Sequence, residues 1–136
     1  MTYDWGKFLS LAETLYHDPP QELADENETL ARNIISRAYY ATHNIARIKK
    51  YERDGIKLTE KKHDKVINYF TNYDNDHETD IGDPLLRLCK RRGEADYEED
   101  KPPSLNDAHL ALLQATDLII EIKKVSIPPS ATSESL

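Results

Sequence analysis

The chain has 136 residues, a length typical of one domain, and carries a formal net charge of -7. This charge argues against a surface that coats itself in nucleic acid, because such binding depends mainly on neutralising phosphates. A mean hydropathy of -0.74 and the lack of any apolar run near the ~18 residues that span a bilayer argue against a membrane-spanning protein.

The amino-terminal residues and the cysteine content bear on the compartment. The first twenty residues include Asp4, Lys7 and Glu13 and lack the apolar core of a signal peptide. Cys89 is the one cysteine, so an internal disulfide is excluded. We therefore expect a cytoplasmic protein.

Apolar residues at spacings of three and four predict the first two helices. The first helix occupies the first 16 residues, and the stretch from His17 to Pro20 ends it. The second helix is long, with a narrow apolar stripe that begins at Leu30 and ends at Ile48. Asp54 and Gly55 then break the chain.

A third helix is predicted after this break. Thr59 is its expected N-cap, and apolar residues continue through Phe70. Residues 71–83 are rich in Asn, Asp, Thr and Gly, which predicts a mobile loop.

The last two helices have recognisable starts. Asp83 and Pro84 are a cap and a first-turn residue for the fourth helix. This helix is expected to end near Gly93, because glycine costs about 1 kcal/mol inside a helix relative to alanine. Pro102 to Ser104 introduce the last helix.

No segment shows the alternation of apolar and polar residues that is typical of a strand. The fold class predicted is therefore all-α, an up-and-down bundle of four to five helices formed by residues 1–125. Residues 126–136 are rich in proline and serine and are predicted to be a disordered tail.

The stretch "SRAYYATHNIAR" from Ser36 to Arg47 gives the long helix its polar character. At 100° per residue, one row of the helix points inward if Ile34 marks the buried face. That row consists of Ile34, Ala38, Ala41, Ile45 and Ile48. The flank that borders it carries Arg37, Tyr40 and Asn44.

His43 lies about 180° from Ile34 on the same helix. Tyr39 and Arg32 are its neighbours on that side. We expect this side to face water or a partner subunit, with Tyr39 and His43 in the dimer contact.

Arg37 needs a partner at the core border, because a buried guanidinium without one is strongly destabilising. The stretch "RRGEADYEED" offers Asp96, and we predict an ion pair between Arg37 and Asp96 that ties two helices together. Binding of a phosphate by Arg37 is the alternative.

A basic cluster lies between two acidic stretches, on the predicted fourth helix. Its members are Arg87, Lys90, Arg91 and Arg92. The cluster is either a local phosphate site or a solvated basic face.

Four stretches together resemble the HEPN family (higher eukaryotes and prokaryotes nucleotide-binding). They are "SRAYYATHNIAR", "HDKVINYF", "LLRLCKRRGEADYEE" and a final apolar helix, in that order over residues 5–125. The chain is most similar to a short prokaryotic branch with a Ser-Arg-Ala-Tyr-Tyr-Ala helix and a later Arg-x-x-Ala-Asp-Tyr element.

The resemblance implies a helical bundle that pairs as a homodimer, in a family rich in metal-independent endoribonucleases, toxins and defence proteins. Many members are encoded beside a nucleotidyltransferase that acts as antitoxin. Catalytic members carry an arginine followed four to six residues later by a histidine. The arginine holds the scissile phosphate and the histidine transfers a proton, which histidine can do near neutral pH.

This chain departs from that catalytic pattern. No histidine follows Arg92 at the required distance, since the next residues are "GEADYE". Relatives often carry a histidine at the position of Asn44, and asparagine cannot exchange a proton at neutral pH. His43 remains as the plausible proton carrier on the long helix.

The sequence thus predicts an RNA- or nucleotide-binding site without a cofactor or metal. The expected catalytic residues are Arg92, His43 and Tyr97; the expected substrate-binding residues are Arg37, Asn44 and Arg91; Asp96 and Tyr40 are expected to be structural. His63 is interpreted as a first-turn or capping residue, and no histidine spacing favours a metal site.

Three functions stay open on this evidence. The first is a metal-independent endoribonuclease that acts as a toxin or defence factor, with a possible nucleotidyltransferase antitoxin. The second is a non-catalytic dimer that binds a nucleotide or a protein. The third is a helical adaptor in which the polar motif is wholly structural.

Overall fold

The computed structural model describes residues 3–72 and 80–127. Within these ranges the chain forms α1 (Gly6–His17), a short 3-10 turn (Gln21–Leu23), α2 (Asn27–Asp54), α3 (Lys62–Thr71), α4 (Gly82–Tyr97) and α5 (Leu105–Lys124). No strand occurs in the described ranges. The prediction of an all-α helical bundle is confirmed.

The long helix α2 is the centre of the bundle, since it contacts α1, α3, α4 and α5. The predicted inward row is buried at Ile34, Ala38 and Ala41 and half-buried at Ile45 and Ile48. Alanines on α2 let the neighbouring helices approach closely, which compensates for their small apolar area.

The opposite side of α2 is also buried, so the prediction that it faces water or a partner subunit is wrong. Tyr39 is fully buried and His43 is only 3% exposed. Helices α3 and α4 cover this side, because His63 of α3 stacks on both rings and Arg92 of α4 lies over Tyr39. Tyr39 and His43 therefore cannot supply the predicted dimer contact.

Helix α4 does not end near Gly93 as predicted but continues to Tyr97. Its last turn buries Ala95, which is 3% exposed, against the core. This burial offsets the roughly 1 kcal/mol that glycine costs inside a helix. Because the helix continues, Asp96 lies one turn after Arg92 and on the same face.

Arg32, rather than Arg37, connects α2 to the end of α4. Its Nη1 donates to the carbonyl oxygen of Ala95 at 2.8 Å, and its Nη2 donates to that of Glu98 at 2.9 Å. The last carbonyl groups of a helix have no partner within the helix and favour a cation, so this arginine caps α4.

The predicted ion pair between Arg37 and Asp96 is wrong. Arg37 donates to Asn33 Oδ1 of its own helix at 2.8 Å. Asp96 instead lies 3.6 Å from Arg92 Nη1 and accepts from Ser36 Oγ at 3.4 Å. The error follows from the predicted end of α4, because a helical Asp96 faces Arg92.

The starts of α3 and α5 differ in how well the sequence predicted them. Helix α3 begins at Lys62 after Lys61, which has a left-handed φ of 50°, so the N-cap predicted at Thr59 is wrong. At α5 the predicted start is confirmed, because Ser104 Oγ accepts from the Asp107 backbone N–H and the Asp107 carboxylate accepts from that of Ser104.

Two predictions concern residues outside the described ranges. The mobile loop predicted at 71–83 falls largely on 73–79, and the tail predicted at 126–136 falls largely on 128–136. Among the described helices, none is both long and apolar enough to cross a membrane.

Replacing Arg32 by alanine is expected to lower the free energy of unfolding by about 2 kcal/mol. The variant leaves the carbonyl groups at the end of α4 without their charged donor, and hydrogen bonds of this kind contribute roughly 1.5–3 kcal/mol. Chemical denaturation measures the change.

Arg37→Ala is the matched control, with the same residue type on the same helix. Its hydrogen bond stays within α2, so we expect a loss below about 0.5 kcal/mol. Equal losses in the two variants would contradict the capping role of Arg32.

Candidate functional site

Arg92 lies at the centre of a group of aromatic side chains between α2 and α4. Its Cζ atom is 5.2 Å from the ring centre of Tyr39, 5.6 Å from that of Tyr40 and 5.9 Å from that of Tyr97. A guanidinium within about 6 Å of an aromatic face is attracted by the ring electrons. Three rings therefore hold the cation of Arg92 in place.

The polar contacts of Arg92 leave part of its hydrogen-bonding capacity unused. The distance of 3.6 Å to Asp96 is long for a hydrogen bond, and Nη2 reaches only the Cys89 sulfur, at 3.9 Å. Its Nε is buried and has no hydrogen-bond partner among the described residues. The side chain is 13% exposed, so a ligand can meet only one edge of it.

Tyr39 connects this arginine to His63 at the start of α3. The Tyr39 hydroxyl lies 2.5 Å from His63 Nδ1, and the two rings stack with centres 5.5 Å apart. Burial raises the pKa of Tyr39 well above its usual value, and a hydrogen bond with the Cys89 thiol adds to this effect. The hydroxyl thus keeps its proton and orients the imidazole of His63.

His43 lies beneath His63, with the two imidazole centres 4.2 Å apart. Burial lowers the pKa of His43 to about 3, and the positive charges of His63, Arg47 and Arg92 contribute further. Its Nδ1 is buried and has no hydrogen-bond partner among the described residues. His43 is therefore a neutral side chain at physiological pH.

His63 is the more accessible of the two histidines, since it is half-buried. Burial lowers its pKa, and the nearby charge of Arg92 acts in the same direction. A neutral imidazole thus lies close to a fixed cation. We call Tyr39, Tyr40, His43, His63 and Arg92 the Arg92 cluster.

The structure brings five of the eight predicted site residues to this cluster. They are Arg92, His43, Tyr40, Tyr97 and Asp96. Tyr97 lies at the rim of the cluster and is 76% exposed.

The side chains of the other three predicted residues make no contact with Arg92 or the histidines among the contacts of the described residues. Arg37 bonds to Asn33, and Asn44 bonds to the Tyr40 carbonyl and to Arg47 on its own helix. Arg91 lines a different cleft, beside Pro102 and Pro103.

The sequence did not identify His63 and Cys89 as members of the site. His63 belongs to the motif "HDKVINYF", but its partner Tyr39 is 24 residues away in the chain. One signal could have identified it. Tyr39 and His43 lie on the same side of α2, and if that side is buried, their polar atoms require a polar partner from another helix.

A metal site would require a group of acidic, cysteine or histidine side chains. Among residues 3–72 and 80–127, no group of three or more of these side chains has an arrangement that could hold a metal ion. The Arg92 cluster itself combines a cation, imidazoles and phenols.

Acidification below about pH 6.5 is expected to destabilise the protein through His43. Its pKa is lowered in the folded state, so between the unfolded value of 6.5 and about 3 the unfolded chain binds one more proton. The free energy of unfolding should then fall by about 1.4 kcal/mol per pH unit on acidification within this range. Urea denaturation from pH 7 to pH 4 measures this slope.

His43→Phe and His43→Asn should both reduce that slope, whatever their stability at pH 7. Thr42→Val is the control, because Thr42 is equally buried on the same helix but does not titrate. A slope that is unchanged in both His43 variants would contradict the buried, neutral state of His43.

Comparison with known proteins adds no family to this geometry. No protein-family model, no curated protein and no solved structure matches the chain. The likeness to the HEPN family therefore rests on the sequence motifs.

Proposed function

We propose that the chain is a HEPN-type protein that acts on RNA as a metal-independent endoribonuclease. The observation that carries this proposal is the placement of the Arg92 cation beside a neutral His63, with Tyr39 in contact with both. Phosphodiester cleavage by a 2′-hydroxyl needs these two groups, namely a positive charge for the phosphate and a proton acceptor for the hydroxyl.

The hydrogen bond between Tyr39 and His63 is compatible with either tautomer of the imidazole, and the proposed reaction uses the one in which Nδ1 carries the proton. Tyr39 can donate its proton to the Cys89 sulfur while its oxygen accepts from His63 Nδ1–H. His63 Nε2 then carries a lone pair and no proton. A histidine whose second nitrogen is fixed in this way has the arrangement of a general base.

The reaction proposed transfers one proton to His63 and breaks one P–O bond. His63 Nε2 takes the proton of the 2′-hydroxyl, and that oxygen attacks the adjacent phosphorus. The bond from phosphorus to the 5′-oxygen breaks, and the leaving oxygen takes a proton from water. The products are a 2′,3′-cyclic phosphate and a 5′-hydroxyl, and Arg92 stabilises the charge on the phosphate oxygens.

His63 takes the role for which the sequence favoured His43. His43 is almost fully buried beneath His63, so a substrate cannot reach it, and its pKa of about 3 makes it a poor base. Tyr97 is exposed beside Arg92 and can donate a hydrogen bond to the same phosphate. Asp96 orients the guanidinium from the other side.

A non-catalytic module that binds a nucleotide or a protein is the second candidate. It is favoured by the ion pair of Arg92 with Asp96 and by the small exposed fraction of Arg92. In that case the cluster would bind a phosphate without cleaving it.

The resemblance alone supports the wider setting of the proposal. A toxin or defence role, a homodimer and a nucleotidyltransferase antitoxin all follow from the motifs and not from the geometry of the cluster. The proposed chemistry requires neither a second subunit nor an antitoxin.

Purified protein incubated with a mixed RNA pool and a metal chelator should produce 2′,3′-cyclic phosphate ends. His63→Ala should lower the rate at least ~100-fold, because general-base catalysis contributes that much. Arg92→Met, which keeps the aliphatic stem among the tyrosines, should lower it similarly. Circular dichroism confirms that both variants are folded.

Arg87→Ala is the control, since Arg87 is an exposed arginine on the same helix α4 and lies outside the cluster. Its activity should equal that of the unaltered protein. Cleavage that persists in both cluster variants would contradict the proposal, and RNA binding without any cleavage would favour the non-catalytic module.

A further inference from the structure

A second feature of interest is a groove between the carboxyl-terminal half of α2 and the segment that leads into α3. Its volume is about 300 Å³, at the lower end of the range of ligand pockets. Its walls are formed by Arg47, Ile48, Tyr51, Ile56, Lys57, Leu58 and Lys62. All of these residues belong to the described part of the chain.

The lining of this groove contains three cations and no carboxylate. The ion pairs of the described residues involve Arg32, Lys50, Arg92, Lys101 and Lys124. Arg47, Lys57 and Lys62 thus form no ion pair with another residue of the described ranges. In a chain with a net charge of -7, such a concentration of positive charge is a strong local attraction for an anion.

The groove also has an apolar surface that a phosphate alone would not use. Tyr51 is 51% exposed and Ile56 is 59% exposed. An exposed phenol ring beside unpaired cations suits a ligand that combines a planar base with a phosphate. This combination describes a nucleotide unit of a single-stranded RNA.

The groove adjoins the Arg92 cluster. Lys62 lies at its edge and precedes His63 in the chain. Arg47 and Lys62 are both near enough to His43 for their charges to act on it, as Arg92 does. Positive charge therefore extends from Arg92, past the histidines, into the groove.

The backbone is strained at the residue that precedes Lys62 of the groove. Lys61 has a left-handed conformation, with φ at 50°, and is the one residue other than glycine in the described ranges with a positive φ. Such a conformation is strained for an ordinary residue and is found often at functional sites. Lys62, which lines the groove, and His63 of the Arg92 cluster are the next two residues of the chain.

We propose that this groove is an RNA subsite that binds the nucleotide next to the one held at the Arg92 cluster. Arg47, Lys57 and Lys62 contact its phosphate, and its base stacks on Tyr51. The subsite rests on the proposed function, since it requires that RNA is the ligand. It positions the strand so that one phosphate reaches Arg92.

The test measures binding of a fluorescein-labelled single-stranded RNA oligonucleotide by anisotropy as a function of salt. The variant R47Q/K57Q/K62Q should bind at least tenfold more weakly near 0.1 M salt. The slope of its log binding constant against log salt should be shallower by about 0.7, because one neutralised phosphate contributes about that much for a single strand. Tyr51→Ala should weaken binding about tenfold and leave the slope unchanged.

The charge-matched control is K7Q/R87Q/K123Q, whose members lie outside the groove. It should stay within about twofold of the unaltered protein. Equal losses in the two triple variants would overturn the subsite and indicate nonspecific attraction.

Two further outcomes separate the subsite from the proposed function. If the groove variants bind RNA normally while His63→Ala loses cleavage, the subsite is wrong and the function stands. If the groove variants weaken binding while the unaltered protein does not cleave, the subsite stands and the endoribonuclease proposal is wrong. Failure of the unaltered protein to bind RNA would overturn both.

Discussion

The Tyr39 hydroxyl is the contact on which the geometry of the site depends. It lies at the meeting point of three helices, because Tyr39 belongs to α2, His63 to α3 and Cys89 to α4. Burying a phenol without partners would cost several kcal/mol, so these contacts are required once α3 and α4 cover α2. The same ring supports the Arg92 cation. One buried residue therefore determines the positions of the histidine and the arginine together.

Burial also determines the charge of the site. Desolvation by burial lowers the pKa of both stacked imidazoles, and the positive charge of Arg92 acts in the same direction on each of them. The result is a fixed cation beside neutral acceptors. The cations that line the neighbouring groove, Arg47, Lys57 and Lys62, extend the positive region in a chain that is acidic as a whole. The local charge of this region is therefore opposite in sign to the net charge of the chain.

Helical periodicity was enough to predict the five helices and the inward row from Ile34 to Ala41, because an apolar stripe shows where one side of a helix is buried. It could not show that the other side of α2 is buried as well, since that depends on which helices pack there. Tyr39 and His43 were therefore placed outside. The sequence indicated that α4 ends near Gly93. Asp96 was therefore not expected to face Arg92 on the same helix. His63 was missed because its partner is distant in the chain. The structure places Tyr40 and Tyr97, two residues that the sequence analysis expected at the site, beside Arg92.

Nitrogen-15 NMR of the imidazole side chains tests the central contact most directly. At pH 7 the account predicts that His63 is neutral, with its proton on Nδ1 and an unprotonated Nε2, and that Tyr39→Phe abolishes this preference. His43 should remain neutral down to pH 5 in the unaltered protein. A His63 that carries its proton on Nε2, or whose tautomer is indifferent to Tyr39→Phe, would contradict the account.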